Sequence, residues 1–571
     1  MTTEKVIETD VLVIGGGIAG CFAGIKAKER GVDVTIVDKA YATKSGGTIS
    51  ATAFYMVFNP EWGHDLDACM NIIGIRGEYV NDHEWTETVL KESWGTYLDL
   101  VSWGVDFPMS IDEVKSAKST LSLANSAGQS AFGQIPIQRG KHSPALRKQA
   151  IKKGIHILDK VMVTDLIKQD GKVVGAVGFS LIGNDLYLFK TKSIILCTGV
   201  SSFKPLGYAS SCLTGDGDAM AYRAGASVTG KEFPAPFLTM AAYPAWRTYP
   251  GYGAYPNFSD AEWGKIKYTG FWDLGMDFII HGGKGPIVWN LDEATVEDSE
   301  NVRTWITRAE GSTLLYDRID IDISRRGRIQ MAGGAGAGSS DSQTGGVWTM
   351  DTHCATGVPG LFVAGECCGT RYVGAAHTAA GFGLTGSAVT GLRAGIGAAE
   401  YALQAKRPSI DREKFIRMKN AAFAPVERKG GFSPAWITQI VQNTMIPYFV
   451  SRIKHEERLK AALTFVEFMR DHLVPRMKAT DNHDLRMAHE TRNMVLNAEM
   501  ILRASLARTE SRGQHYREDY PRRDDPSWLA WVRVQEEQGT MKAVKIPIPE
   551  KWWPDLSKPY EERYPKRFQG E

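Results

Sequence analysis

The sequence predicts an α/β fold, on three observations. Residues 10–38, DVLVIGGGIAGCFAGIKAKERGVDVTIVD, read in order as a buried strand, a glycine-rich turn, an amphipathic helix and a second strand. Two later runs, KSIILCTG at Lys192–Gly199 and VPGLFVAGE at Val358–Glu366, have the length and β-branched content of further buried strands. At 571 residues the chain also exceeds the size at which one core stops growing, so about two to four domains are expected.

The first element is Val11–Ile14. The turn after it places Gly15, Gly17 and Gly20 in a G-x-G-x-x-G pattern, each with a mechanical role. Gly15 makes the tight turn, Gly17 admits a pyrophosphate to the helix N-terminus, and Gly20 lets helix and strand pack. The second strand, Val32–Val37, ends at Asp38, where a carboxylate accepts a ribose hydroxyl. These features together predict a Rossmann-like dinucleotide site. Lys39 follows the acid, and KSGGTI at Lys44–Ile49 is a second small-residue loop suited to a phosphate and a flat ring. The third strand ends in Thr198-Gly199, followed by LTGDGDA at Leu213–Ala219, which contains Asp216; the fourth ends in Gly-Glu at Glu366.

Bulk composition excludes more than it assigns. Lys plus Arg number 67 against 65 Asp plus Glu, a net charge of +2 that gives no warrant for a nucleic-acid partner. Seven cysteines, at 21, 69, 197, 212, 354, 367 and 368, form no CxxC pair and no metal- or cluster-ligating ladder, so no metal site is expected. Their odd number suits a reducing compartment. The start, MTTEKVIETD, lacks secretory-signal features, and no run of about 18 apolar residues appears, so a cytoplasmic location without a transmembrane segment is expected.

A chain that returns to its dinucleotide hundreds of residues later is similar to the flavoproteins, whose FAD lies extended. The set GGGIAG, Asp-Lys, KSGGT, CTG, TGDG and PGLFVAGE resembles the flavoprotein subunits of succinate dehydrogenase, fumarate reductase and adenylylsulfate reductase. RTESRGQHYREDYPRRDDPSW, residues 508–528, adds a C-terminal signature of the same group. The resemblance implies a split FAD-binding domain (1–231 and 333–405), an inserted α+β capping domain (232–332), a helical domain (406–515) and an extended C-terminal arm (516–571). The cap is marked independently: residues 233–305 hold fifteen aromatics in 73 positions, twice the chain average of 10%. Its stretch PAPFLTMAAYPAWRTYPGYGAYPNF reads as ordered loop. Segments around 411–423, 434–475 and 484–508 are helical in period, and the alternating charges of 503–525 read as a solvated or salt-bridged face.

The resemblance also distributes roles. Lys39, Ser45, Gly46, Gly47 and Thr48, with Val163, Thr198, Gly199 and Asp216, would line the cofactor, and Glu366 would hold its ribityl chain. GFGLTG at 381–386 precedes a helix expected near 385, whose N-terminus would face the flavin pyrimidine, with Gly383 and Leu384 as backbone contacts. No histidine stands in AYATKSGGT, where covalent-flavin members carry one, so the FAD is expected to be noncovalent.

Three departures bear on substrate. KEFPAPF, SDSQTGG and VGAAHTAAGFGL stand where the succinate and fumarate branch carries two histidines and a substrate arginine. Losing several fixed cations, each worth roughly 2 to 5 kcal/mol in a buried charged contact, argues against a dicarboxylate. His377, in its small-residue run, is similar to a histidine of the adenylylsulfate reductase branch and is the candidate proton carrier. Arg371 on the same loop and Arg247 in the cap are candidate anion ligands. The expected activity is that of an FAD-dependent oxidoreductase subunit, exchanging electrons between a small anionic substrate and an iron–sulfur partner or ferredoxin-type carrier. A standalone flavin enzyme acting on an unsaturated or hydroxylated acid, and a non-catalytic flavin-binding subunit, are the alternatives.

Overall fold

The computed structural model describes residues 3–50, 54–109, 112–113, 132–137, 142–205, 212–240, 243–247, 257–262, 264–266, 274–300, 327–339, 343–379, 381–564 and 566–571. Its first strand, Thr3–Ile14, begins exposed and becomes buried at Val11–Ile14, where the apolar run lies. Those four residues pair in parallel with Val34–Val37 on one side and Ser193–Leu196 on the other. Leu361–Val363 joins in parallel beyond Ile194–Leu196. All four buried runs therefore end at one edge of one sheet. His156–Asp159 extends it in parallel, and Lys172–Ser180 and Val161–Gln169 complete it antiparallel on the far side.

Parallel strands need cover, and two helices, Ile18–Lys28 and Phe382–Gln404, supply it as a closely packed pair. A Cβ on Gly391 would stand 2.5 Å from the Ala19 carbonyl oxygen, and one on Gly395 2.4 Å from that of Ala23. Glycine at both positions is what lets the two backbones come this close. Because the contacts advance together, from 19 to 23 and from 391 to 395, the helices run parallel. Ile18 is thus level with about Thr390, and the later helix projects roughly 12 Å further toward its N-terminus.

The cap departs from the expected loop. Pro234–Met240 and Tyr243–Arg247 are antiparallel strands of a six-stranded sheet with Arg328–Ser339, Ile287–Asn290, Phe258–Ser259 and Lys265–Ile266. Pro234 and Pro236 sit at a register irregularity, a position where a strand tolerates a missing N–H. The return strand continues to Ser339, past the expected seam at 332.

Helices Arg412–Glu427, Pro434–Met445, Glu456–Phe468 and Asn482–Ala507 lie within or overlap the segments read as helical. Ile437, Val441, Leu459, Val466, Met494 and Ile501 form the core of this domain. The C-terminal segment expected to be an extended arm is in part a hairpin. Ala530–Glu537 and Thr540–Pro547 pair antiparallel, and Arg533 and Val534 join Thr229 and Val228. The turn between them has Gln538 and Gly539 both at positive φ, 51° and 76°, the primed-turn geometry that matches strand twist.

The charged signature is salt-bridged and buried. Arg508, Arg512, Arg517 and Arg523 are each at most 4% exposed. Arg523 donates to both oxygens of Glu78, at 2.7 and 3.0 Å, and Arg512 to Glu510 and Asp525. Burial pushes the Glu78 carboxyl up, but Arg523, with Arg567 and Arg512 behind it, holds it down at about 2. A carboxyl whose folded pKa lies below its unfolded value of about 4.3 stabilises the fold above that value and ceases to do so as pH falls through the folded one. Stability is therefore expected to be flat above about pH 5 and to fall toward pH 2, with Glu78 alone contributing roughly 3 kcal/mol. Thermal midpoints measured across this range check it: Glu78→Gln should flatten the acid limb, and an unchanged limb would remove Glu78 as its source.

Candidate active site

The strand ends deliver their turns to one groove. Gly15, at φ 104°, is obligatory, since a Cβ there would lie 2.3 Å from the Cys197 carbonyl oxygen; one on Gly20 would lie 1.9 Å from that of Gly15. Gly17 caps the helix Ile18–Lys28, whose first turn holds no acidic residue, so the partial positive charge of that N-terminus stays available to an anion. Asp38 is fixed at its strand end by the Gly16 N–H at 2.8 Å on one oxygen and the Ala40 N–H at 2.7 Å on the other. Each oxygen keeps a lone pair for a ribose hydroxyl.

The second loop closes over this start. Thr48 Oγ1 accepts the Ile18 N–H at 2.9 Å, and the Ser45 hydroxyl lies 3.5 Å from Asp38 Oδ1. A Cβ on Gly47 would stand 3.3 Å from Glu366 Oε2, so KSGGT and VAGE meet across the groove. Gly46 and Gly199 both pack beside Leu213, and Thr198 Oγ1 accepts the Gly217 N–H at 3.0 Å. Gly17, Ser45, Gly47, Thr198, Glu366 and Gly383 are all half-buried, although the strands and helices that carry them lie in the core. Val163 is buried in Val161–Gln169, opposite Gly178, where the register shifts.

Lys39 and Asp216 pair with each other, at 2.7 Å, at the rim of this groove. Lys39 also donates to Thr214 at 3.0 Å and to Glu490 at 2.9 Å, and Glu490 takes Lys204 and Arg486 as well. Asn493 donates to Asp216 at 2.9 Å and Asn497 to the Gly215 carbonyl at 3.0 Å. Burial opposes both charges, yet Asp216 and Glu490 raise the Lys39 pKa, while Lys39, Lys204 and Arg486 hold Glu490 well below the carboxylate range. Sequence reasoning missed Glu490, Asn493 and Asn497. Their spacing of i, i+3, i+7, a polar stripe on one helix face, was the available signal.

His377 lies on a loop held at several points. The Asp82 N–H donates to the Arg371 carbonyl at 3.1 Å, the Tyr372 hydroxyl to the Phe382 carbonyl at 2.6 Å, and the Ala375 N–H to Gly77 at 3.0 Å. Ala376 and Thr378 on either side are buried, whereas His377 is half-buried. The Tyr372 bond ties this loop to the first turn of Phe382–Gln404, where Gly383 is half-buried and Leu384 buried. The helix begins slightly before the expected residue 385.

Of the candidate arginines, Arg371 is already paired. Arg371 is 4% exposed, donates to Asp82 at 3.1 Å and to Gly369 at 2.6 Å, and lies 4.1 and 4.6 Å from the ring centroids of Trp348 and Trp531. Its charge is balanced inside the protein. Arg247 ends the strand Tyr243–Arg247, and its side chain lies outside the described residues. Cys367 and Cys368 are buried free thiols. No group of three or more ligating side chains able to hold a metal ion occurs among the described residues.

Two family models match the chain: an FAD binding domain over residues 10–249 and a fumarate reductase flavoprotein C-terminal domain over 440–556. Its homologues are flavoprotein subunits of fumarate reductase and succinate dehydrogenase. It is 27% identical to one of the subunits of the fumarate reductase (CoM/CoB) of Methanothermobacter marburgensis, over 92% of this chain and 96% of that one. It is 25% identical to the fumarate reductase flavoprotein subunit of Mycobacterium tuberculosis, over 96% and 99%. Its fold is that of Mycobacterium smegmatis Sdh1, with TM-score 0.80 at 22% identity and 98% of each chain covered. An adenosine-5-phosphosulfate reductase in complex with sulfite gives TM-score 0.77 at 22% identity, over 97% of this chain and 98% of that one.

This flavoprotein is an FAD-dependent oxidoreductase, and its groove fits that cofactor. The glycine cradle is one a Cβ would fill, the open helix N-terminus suits a pyrophosphate, and Asp38 and Glu366 present oxygens at separate points. No helix among the described residues is long and apolar enough to cross a membrane. Gly17→Val is expected to abolish FAD retention, since its side chain would enter the cradle and press on Thr48. The ratio of flavin to protein absorbance after purification checks this, and a fully yellow variant would contradict the assignment of the cradle.

Proposed function

We propose that this flavoprotein is the catalytic subunit of an electron-transfer complex in a reducing cytoplasm, passing electrons between a small anionic substrate and an iron–sulfur partner. In this reading Gly15, Gly17, Gly20, Ser45–Thr48, Val163, Thr198 and Gly199 line the FAD, Asp38 takes a ribose and Glu366 the ribityl chain. Lys39 and Asp216, paired with each other, line the rim of the site. Bound FAD supplies hydride chemistry at its N5. The start of the helix Phe382–Gln404, at Gly383 and Leu384, presents its partial positive charge to the pyrimidine end, favouring negative charge there.

The observation that carries the reading is the placement of His377. It is the half-buried member of a loop whose neighbouring residues are buried, and that loop is bonded to the turn expected to face the flavin. A ring nitrogen of His377 then donates to, or takes a proton from, the substrate atom whose charge changes. The fixed loop supplies orientation, which is the larger part of what such a group needs. A partner is supported by the relatives' own descriptions as subunits. Free cysteines, six of them buried, support the reducing compartment.

The test is anaerobic photoreduction of the purified flavoprotein, followed by candidate acceptors and by iron analysis of whatever co-purifies. His377→Ala should keep its FAD and lose turnover by about 100-fold or more with any acceptor that reoxidises the parent protein. Unchanged turnover would remove His377 from the mechanism. Full turnover with NAD(P)H alone, with no co-purifying protein, would remove the partner.

A further inference from the structure

Arg371 is neutralised by Asp82. The buried arginines near the His377 loop are paired: Arg508 with Glu232 and Glu510, Arg512 with Glu510 and Asp525, Arg523 with Glu78. Arg76 differs. It ends the helix Leu66–Arg76, one residue before the Gly77 carbonyl that receives the Ala375 N–H. Its Nη1 lies 3.5 Å from the Thr378 carbonyl oxygen, next to His377. It pairs with no carboxylate among the described residues, and it remains open to solvent on one side. Burial against the protein is the one cause that moves its pKa, downward.

Two uncharged polar residues belong to this loop or are bonded to it. Thr378 Oγ1, in a residue 2% exposed, has no hydrogen-bond partner among the described residues. Gln514 is 3% exposed, and neither end of its amide has a partner among them either, while its backbone N–H holds the Ala375 carbonyl at 3.0 Å. Leaving a buried polar group unmatched costs about 1–3 kcal/mol. Two such residues on adjoining loops beside His377 leave hydrogen-bonding capacity for a ligand.

We propose that Arg76, Thr378 and Gln514 form the substrate-recognition set beside His377, with Arg76 pairing one anionic group and Thr378 and Gln514 bonding a neutral polar one. The ligand class is a small monoanion bearing a carbonyl, amide or hydroxyl, since this set supplies one cation and two neutral groups. This rests on the reading of His377 as the substrate-side residue. A guanidinium at the mouth draws the anion in, and the two neutral groups fix its orientation.

The test titrates the FAD-loaded protein with fumaramate, crotonamide and fumarate, following the flavin absorbance difference spectrum. Fumaramate, a monoanion that also bears an amide, is expected to bind, and Arg76→Gln to raise its Kd by about tenfold or more while leaving that of crotonamide within about twofold. Arg76→Lys should recover part of the fumaramate affinity, and Gln514→Leu should weaken fumaramate and crotonamide alike. An unchanged fumaramate Kd in Arg76→Gln, fumarate binding about tenfold tighter than fumaramate, or no response to any probe would each overturn the proposal. His377→Gln is measured alongside. If it abolishes the fumaramate response and Arg76→Gln does not, the site reading stands and this assignment alone falls; if neither variant has an effect, both fall.

Discussion

The close packing of two helices widely separated in the sequence sets the geometry of the rest. Ile18–Lys28 and Phe382–Gln404 touch through Ala19, Ala23, Gly391 and Gly395, where glycine permits backbone contact. Their parallel, staggered arrangement sends two positive helix ends toward one groove at different depths. An elongated dinucleotide has two separated centres of negative charge, its pyrophosphate and its reduced ring, and in the proposed reading the stagger matches that separation. A bulkier residue at either glycine would separate the helices and misalign every loop that the shared sheet edge collects.

A second constraint joins the domains. Glu490 belongs to the helical domain, yet its carboxylate is matched by Lys39 and Lys204 from the nucleotide-binding part and Arg486 from its own helix. Removing any one partner would leave buried charge uncompensated, which costs more than the intact set contributes. The arrangement therefore acts as a specificity device: it tolerates one docking of the helical domain against the groove's rim. The C-terminal signature does the same on the other side, where Arg523 binds Glu78 just behind the loop that carries His377.

The parts legible in the sequence were those governed by local chemistry. Gly15, Gly20 and Asp38 announce their places because the tight turn, the helix–strand approach and the strand end each need one residue type at one spacing. Helical period gave the bundle for the same reason. Long-range effects were not legible. Prolines at 234 and 236 hid a strand because a register irregularity absorbs them. Residues 530–547 looked like a loose arm because nothing local reveals that Val228 and Thr229 offer them an edge. Arg371 resembled an anion ligand, yet Asp82, nearly three hundred residues earlier, occupies it. Glu490 was hidden within a helix whose remaining pattern is that of ordinary packing.

Hydrogen–deuterium exchange of the FAD-free protein, with and without added FAD, tests the central claim most directly. Simultaneous protection of residues 15–20, 45–48 and 381–386 on cofactor addition is the predicted result, because one molecule is held by all three segments. Protection confined to the first segment, with 381–386 exchanging as before, would contradict the shared groove.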